Sequence, residues 1–467
     1  MKDIKTTADA EFAAKLEEMR AREALERDAA YAGIAREYGD EVADALRAHM
    51  SIYDVRFYLW LADLYYPGEY DEAGNPKGGG FYYSNSARDN EGYLIDVEST
   101  GQALGFLASS GMLKNFKEQI PERMQKEMVA FALSLQDPED GYFYHPQWGK
   151  NISIGRQSRD TGWATGSVIL RFGRQPYWNA PNGVKGIYGE PGRSTADQVE
   201  QTGTTTNLEK WPERLRTLEN WENYLRGYES EIRTRSYSIG HTVAEQGGQI
   251  KQRDAEALAN GEPTGYVELT RKYFDGWQNP ENGLWEDDVT YNSINGLMKI
   301  SAIYVSLGLP LAYPDKALRS AARMAALVGP DSNGKQATGS VDVYNPWIAI
   351  SRIFKIMSTC GRDDEIPALR AELVSRAAEM IRVTTDKTLK FRKEDGSYGY
   401  TWTYSPKRSQ GAPVAVPETV EGDVNGGTIA LVGVTNNMLV ALGISGISIY
   451  APSDFEVFIK RAMEKTL

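Results

Sequence analysis

The chain alternates two kinds of helical stretch, and that alternation limits what it can fold into. Apolar stretches at about 95–112, 160–172, 290–307 and 428–443 are interleaved with charged ones such as 119–135, 314–328, 364–383 and 453–464. A helix that is apolar all round must be surrounded by protein, whereas an amphipathic one turns its charged side to water. Apolar stretches are entered through loops rich in glycine and aromatic residues: Asp140-Gly141-Tyr142-Phe143, Asn282-Gly283-Leu284-Trp285 and Asp395-Gly396-Ser397-Tyr398. The unit of loop, apolar helix, short turn and charged helix repeats in structure rather than in letters. Its simplest closed packing is an all-α fold, an α/α toroid of six or seven helix pairs whose long loops gather at one end and line a bowl. A linear helical solenoid is the second arrangement. No strand-like alternation and no phosphate-binding glycine loop between a strand and a helix interrupts the pattern.

Residues 1–38 read as a charged helical extension rich in Ala, Glu, Arg and Leu, and residues 39–467 as the toroid, one domain. A helix is expected over about 40–63. The irregular stretch 173–206, with Pro, Gly, Thr and Asn, reads as a lid or a surface excursion. No run of apolar residues is long enough for a membrane span, and the N-terminus has no signal-like apolar core. The chain as given therefore reads as cytoplasmic, although a secreted protein trimmed of its signal would read the same. With a net charge of −12 and no basic patch, nucleic acid and membrane are not expected partners. One cysteine, Cys360, leaves no internal disulfide or cysteine zinc cage, and His49, His145 and His241 are too few for a histidine-rich metal site. No metal and no cofactor is expected. The 27 Tyr and 10 Trp supply flat faces with polar tips, suited both to helix contacts and to grooves that hold sugars.

The candidate site residues cluster where loops enter apolar helices. Arg159 and Asp160, His241, Tyr291, Asn292 and Asn295, Tyr344 and Asn345, and Asp423 and Asn425 all sit at such entrances, where free N–H groups favour anions. Each also has a bland reading as a cap or loop brace. His145 lies in the aromatic loop Tyr142-Phe143-Tyr144-His145-Pro146-Gln147-Trp148, and His241 follows Tyr237 by one helical turn. Arg159, Asn292, His241 and Tyr291 together offer a carboxylate neutraliser, a base and an acid, the set that β-elimination on a uronic acid requires. His145, Trp148, Asp160, Tyr237, Trp285, Tyr344, Asn345 and Trp402 are the expected substrate contacts. Glycoside hydrolysis needs two carboxyl groups instead, for which Asp160, Glu286, Asp287, Asp288 and Asp423 are candidates.

The glycine-aromatic turns ahead of apolar helices resemble those of α/α-toroid carbohydrate-active enzymes, among them alginate and glucuronan lyases and several glycoside hydrolases. The likeness covers most of residues 60–465 and is architectural. It implies an Asn/His/Tyr/Arg centre, which Asn292, His241, Tyr291 and Arg159 would fill, although the lyases' Asn-His dipeptide is absent. Terpene cyclases share the toroid, but the spacing of Glu286-Asp287-Asp288 is not their acid motif. The expected function is a polysaccharide lyase acting on a uronate-containing oligo- or polysaccharide by metal-independent β-elimination. The alternatives are a glycoside hydrolase on the same fold and a non-catalytic glycan-binding toroid.

Overall fold

The computed structural model describes residues 2–139, 141–178 and 211–464. It is mostly helical. Strands among the described residues are confined to two short antiparallel ladders, Tyr65–Tyr66 with Gly80–Phe81 and Arg408–Ser409 with Ala412–Pro413. No helix among them is long and apolar enough to cross a membrane. Asp140 and nearly all of the 173–206 stretch lie outside the described residues.

Helices of eight residues or more are numbered in chain order. The N-terminal extension is α1, Lys2–Tyr38. The helix expected over 40–63 is two, α2 (Asp40–Ser51) and α3 (Val55–Asp63), because Asp54 caps a new start by accepting from the Arg56 amide at 2.9 Å. Then follow α4 (Val97–Ser109), α5 (Glu122–Ser134) and α6 (Ile154–Gly162), which runs on through a π-helical stretch, Trp163–Ile169. Beyond them are α7 (Leu218–Arg226), α8 (Ile232–Ala244), α9 (Gly247–Ala259) and α10 (Tyr266–Trp277). The next three are α11 (Tyr291–Leu307), α12 (Pro314–Ala325) and α13 (Ser340–Thr359). The single charged helix expected over 364–383 is α14 (Ile366–Val374) and α15 (Ala377–Leu389). Val424–Gly427, a second π-helical stretch Thr428–Gly433 and Val434–Leu442 run on as α16, and α17 is Pro452–Glu464.

The apolar helices pack side by side in the order α6, α4, α16, α13, α11, α8. Around them α12 lies on α13, α7 on α10 and α3 on α17, while α15 packs on α2. One contiguous apolar core runs from Tyr31 in α1 to Ala462 in α17. The extension is therefore tied to the body. Tyr31 and Ile34 are buried, the Tyr38 hydroxyl donates to the Gly443 carbonyl at 2.9 Å, and Glu23 accepts from the Ser453 amide at the start of α17 at 2.9 Å.

The best-matched stretch is α11. Thr290 caps it with a reciprocal bond to Ser293, and Gly308 ends it in the left-handed region, φ 69°. It meets α8 at two glycines. A Cβ at Gly240 would lie 2.7 Å from Ile300 Cγ1, and one at Gly296 would overlap Ser236 Oγ.

The turns also repeat in letters, which the alternation argument overlooked. Gln136-Asp137-Pro138-Glu139-Asp140-Gly141 and Gln278-Asn279-Pro280-Glu281-Asn282-Gly283 differ only by Asp/Asn exchanges. Both glycines are left-handed, φ 74° and 70°. In each turn the glutamine Nε2 donates to the glycine carbonyl, at 3.0 Å from Gln136 and 2.8 Å from Gln278. Each Oε1 accepts a backbone amide from a distant loop, Tyr177 at 2.8 Å and Tyr313 at 3.3 Å. The aromatic residue that follows is structural: Phe143 is buried, and Trp285 is buried with its Nε1 donating to the Phe274 carbonyl at 2.8 Å.

Two outcomes follow. Gly296→Ala is expected to displace Ser236 and cost about 1–3 kcal/mol in urea unfolding. His49 is buried between α15 and α16, bonded to Thr385 Oγ1 and Thr435 Oγ1, each at 2.9 Å, and burial lowers its pKa from 6.5 to about 4. A lowered native pKa means stability that is whole above 6.5 and is lost as pH falls towards 4. Relative to His49→Gln, the wild type should lose on the order of 3 kcal/mol over that window, measured by unfolding at each pH.

Candidate functional site

Six apolar helices share one cavity of about 840 Å³, within the size range of small-molecule sites. It is lined by Gln102 of α4, Arg159 and Trp163 of α6, and Tyr237 of α8. Asn292, Asn295 and Lys299 come from α11, Tyr344, Asn345 and Arg352 from α13, and Asn425 and Thr428 from α16. Both π-helical stretches begin at cavity-lining residues, Trp163 and Thr428, a placement common at functional sites. Loop residues Glu286, Tyr400, Ser409 and Gln410 complete the wall. Gln410 sits at φ 48° in the tight turn of the 408–413 hairpin, a conformation that costs a non-glycine residue roughly 1 kcal/mol.

The charges on this wall are unequal. Lys299 Nζ lies 5.6 Å from the Tyr237 ring centre and has no carboxylate within ion-pair distance among the described residues. Burial first, then Arg159 and Arg352 against the opposing pull of Glu245, lowers its pKa to about 8. Arg352 donates to the Met298 carbonyl at 2.5 Å and likewise has no carboxylate partner among the described residues. Arg159 is neutralised from behind. Its Nε and Nη2 reach Glu98, whose Oε2 also accepts from Arg156 Nη1 at 3.2 Å and whose Oε1 accepts from Gln102 Nε2 at 3.1 Å. Gln102 Nε2 also reaches Asn425 Oδ1 at 3.1 Å. Asn345 Nδ2 donates to Asn295 Oδ1 at 2.6 Å, and Asn345 Oδ1 is buried without a partner.

Of the four residues expected to be catalytic, Arg159 and Asn292 line the cavity. His241 stands behind Tyr237, rings 6.0 Å apart and nearly parallel, with Nε2 3.1 Å from Glu245 Oε1 and Nδ1 unpartnered. Burial first, then Lys299 and Arg159, lowers its pKa to about 4. Tyr291 does not line the cavity. It is buried at the start of α11, with Lys335 and Lys387 over its ring at 5.9 and 5.4 Å, because the capping turn folds it against α15 rather than across the mouth.

The expected substrate contacts divide in the same way. Tyr237, Tyr344 and Asn345 line the cavity, and Trp402 lines a second one beside it. His145 and Trp148 brace a loop. The histidine's Nε2 donates to the Ile95 carbonyl at 2.7 Å and its Nδ1 accepts from the Gln147 amide at 3.1 Å. Trp148 stacks on it at 4.1 Å and donates to the Pro413 carbonyl at 3.1 Å. Trp285 is the core anchor of its turn.

Among the candidate carboxylates only Glu286 lines the cavity, and it serves as a cap. Helix α8 is kinked at Arg235, and Glu286 Oε1 accepts from the freed Ser236 amide at 3.3 Å and the Ser236 hydroxyl at 2.6 Å. Asp160 is buried against Arg156, 2.7 Å away but off the hydrogen-bonding direction, and burial lifts its carboxyl to about 7. Asp423 is buried as a cap accepting from the Tyr400 and Gly426 amides, and desolvation lifts it to about 6. Asp287 is exposed beside Arg233, and Asp288 is exposed. Among the described residues no group of His, Cys, Asp and Glu is placed to hold a metal ion.

Asn295, placed at a helix entrance by the sequence, lines the cavity, whereas Lys299, Arg352, Gln102 and Tyr400 do not sit at entrances and carry no such signal. The readable signal was a polar stripe on an otherwise apolar helix, Asn292-Asn295-Lys299 at spacings of three and four and Asn345-Arg352 at seven, with Tyr344 beside Asn345. Searches of protein-family models, curated proteins and solved structures found no match to this chain.

A lysine near its pKa gives the cavity a pH signature. Sulfate binding measured by calorimetry is expected to weaken several-fold as pH rises from 7 through 8, where Lys299 loses its proton. In Lys299→Arg, which stays charged, that part of the pH dependence should vanish.

Proposed function

We propose that the six cavity-lining helices are the inner ring of an α/α toroid and that the cavity binds and cleaves a uronate-containing oligo- or polysaccharide by β-elimination. The toroid is supported by the packing order α6, α4, α16, α13, α11, α8, by the six-way sharing of one cavity, and by the repeated Gln-Asx-Pro-Glu-Asx-Gly turn. The observation that carries the function is the pair Lys299 and Arg352. Both are half-buried with no carboxylate in ion-pair contact among the described residues, Glu245 acting on Lys299 only from a distance, and such cations are costly unless an anion completes them.

In this reading the substrate carboxylate lies on Lys299 and Arg352, with the Asn295–Asn345 amides alongside. Neutralising it acidifies the hydrogen on the adjacent carbon. The base takes that hydrogen as a proton, its bonding electrons form the new double bond, and the bond from the next carbon to the glycosidic oxygen breaks. The departing oxygen takes a proton from an acid. Tyr237 is the acid, since burial holds its hydroxyl above its ordinary range and keeps it protonated. For neutral His241 to be the base its ring must come forward past Tyr237, because it stands behind the cavity wall with Nε2 held at Glu245 and Nδ1 buried. Tyr237 thus takes the role first expected of Tyr291. The hydrolase reading is weaker because Glu286 faces no second carboxylate across the cavity.

Alginate, glucuronan and glycosaminoglycans separate the readings. A lyase raises ultraviolet absorbance as the conjugated double bond forms. Reducing ends without that signal would indicate a hydrolase, and binding without either a glycan-binding protein. Tyr237→Phe is expected to lower kcat about 10²-fold, whereas Lys299→Met should chiefly raise KM. Full lyase activity in both variants would refute these roles.

A further inference from the structure

Three lysines set into the body of the protein have their ammonium groups occupied. Lys393 Nζ donates to the Thr401, Trp402 and Thr403 carbonyls at 3.1, 2.9 and 3.2 Å. Lys387 Nζ donates to the Met324 carbonyl at 3.0 Å, and Lys335 Nζ to Asn292 Oδ1 and Asp342 Oδ1 at 3.0 Å each. Lys299 is different. It extends from α11 into the cavity of about 840 Å³, and its Nζ makes no hydrogen bond or ion pair to a described residue. A lysine nitrogen that holds nothing and faces open volume is free to react.

The groups around Lys299 favour its neutral form. Arg159 of α6 and Arg352 of α13 oppose a proton on it, Glu245 beyond the end of α8 favours one, and burial outweighs all three. On α8, Tyr237 faces it with the ring centre 5.6 Å away, and His241 behind that ring is neutral above about 4. Desolvation and neighbouring cations are the two means by which a protein makes a lysine nucleophilic. At about 8, roughly a tenth of the Lys299 amine is free at neutral pH, against well under a thousandth at the ordinary 10.5. Lys387 is lowered equally, to about 8, but it is 7% exposed and tied to carbonyls. Geometry separates the two.

The wall beside Lys299 suits a particular kind of carbonyl compound. Arg352 donates to the carbonyl of Met298, the residue before Lys299, and its other N–H groups make no bond to a described residue. They can take a carboxylate in a forked contact. Asn345 Oδ1, buried on the same wall without a partner, can accept from a hydroxyl.

We propose that Lys299 is a carbonyl-reactive amine, and that the cavity takes a small oxo acid whose carbonyl carbon meets Lys299 and whose carboxylate lies on Arg352. The nitrogen lone pair adds to the carbonyl carbon, the π pair moves to oxygen, and oxygen gains a proton as nitrogen loses one. The resulting hydroxyl then leaves as water with a second proton, and the nitrogen lone pair forms the C=N bond of a protonated Schiff base. Tyr237, whose hydroxyl burial keeps protonated, is the acid at hand for that departure. No glycosidic bond breaks in this reaction, so it stands or falls apart from the lyase reading.

The test is reductive trapping on the wild-type protein with glyoxylate and cyanoborohydride, which delivers hydride to the C=N carbon and fixes the adduct as a secondary amine. Peptide mass spectrometry then compares lysines. Lys299 should be labelled about tenfold faster than Lys387 and than exposed Lys316 and Lys407 at neutral pH. Its rate should level off above about 8, while the exposed lysines continue to rise. Excess sulfate, competing for Arg352, should slow Lys299 several-fold and leave Lys316 unchanged. Labelling of Lys299 no faster than of Lys316, or unaffected by sulfate, overturns the proposal. Equal labelling of Lys299 by glycolaldehyde, which lacks the carboxylate, overturns the choice of an oxo acid.

Discussion

Helix α11 is buried on nearly every side, and the rest of the site follows from that constraint. A helix so enclosed has little solvent face beyond its first turn, where Asn292 is exposed, so Asn295 and Lys299 must point at a cavity or be left unsatisfied. Helix α13 carries the same constraint with Tyr344, Asn345 and Arg352. Glycine contacts with α8 at Gly240 and Gly296 bring the backbones close enough for Lys299 to reach the Tyr237 ring. The cavity is what remains when six such helices meet with their polar stripes inward.

Electrostatics then divides the ionisable residues into two groups. One has internal partners: Glu98 with Arg156 and Arg159, Asp423 on backbone amides, and Asp160 beside Arg156 but without a hydrogen bond to it. Their partners are internal, so their burial holds the ends of α4, α6 and α16 together. The other, Lys299 and Arg352, faces open volume with no carboxylate in ion-pair contact among the described residues, Glu245 acting on Lys299 only from a distance. Burial depresses both the Lys299 ammonium and the His241 imidazolium, and Lys299 lowers the histidine further. A bound anion would reverse that balance locally.

The glycine turns show a different economy. Gln136 and Gln278 each close their own turn and reach forward to clasp a distant loop. The aromatic residue after each glycine fills the core beneath. Aromatic residues that resembled sugar platforms in the sequence, Trp285 and Trp148, are bracing elements for this reason, and His145 with them. Trp402 differs in that its segment is held by Lys393 and it lines a cavity as well as packing against the core.

Much of the fold was legible in the sequence, since helix starts and stops are local. Thr290 with Ser293, Gly308, Asp96 and Pro314 place helix ends to within a few residues of expectation, and the alternation of apolar and charged helices separates enclosed from exposed ones. Asp54 splitting 40–63 is equally local and was overlooked. The site was legible only in part. Arg159, Asn292, Tyr237, Tyr344 and Asn345 were found from their positions at helix entrances. Which ionisable groups have internal partners was not, because Glu98 and Arg159, or Ser236 and Glu286, are separated by about fifty residues or more and meet only through helix packing. Local sequence chemistry determined which stretches form helices and which faces are apolar. Tertiary structure alone decided which cations are left facing an open cavity, since neutralisation depends on distances of a few ångströms that no spacing along the chain encodes.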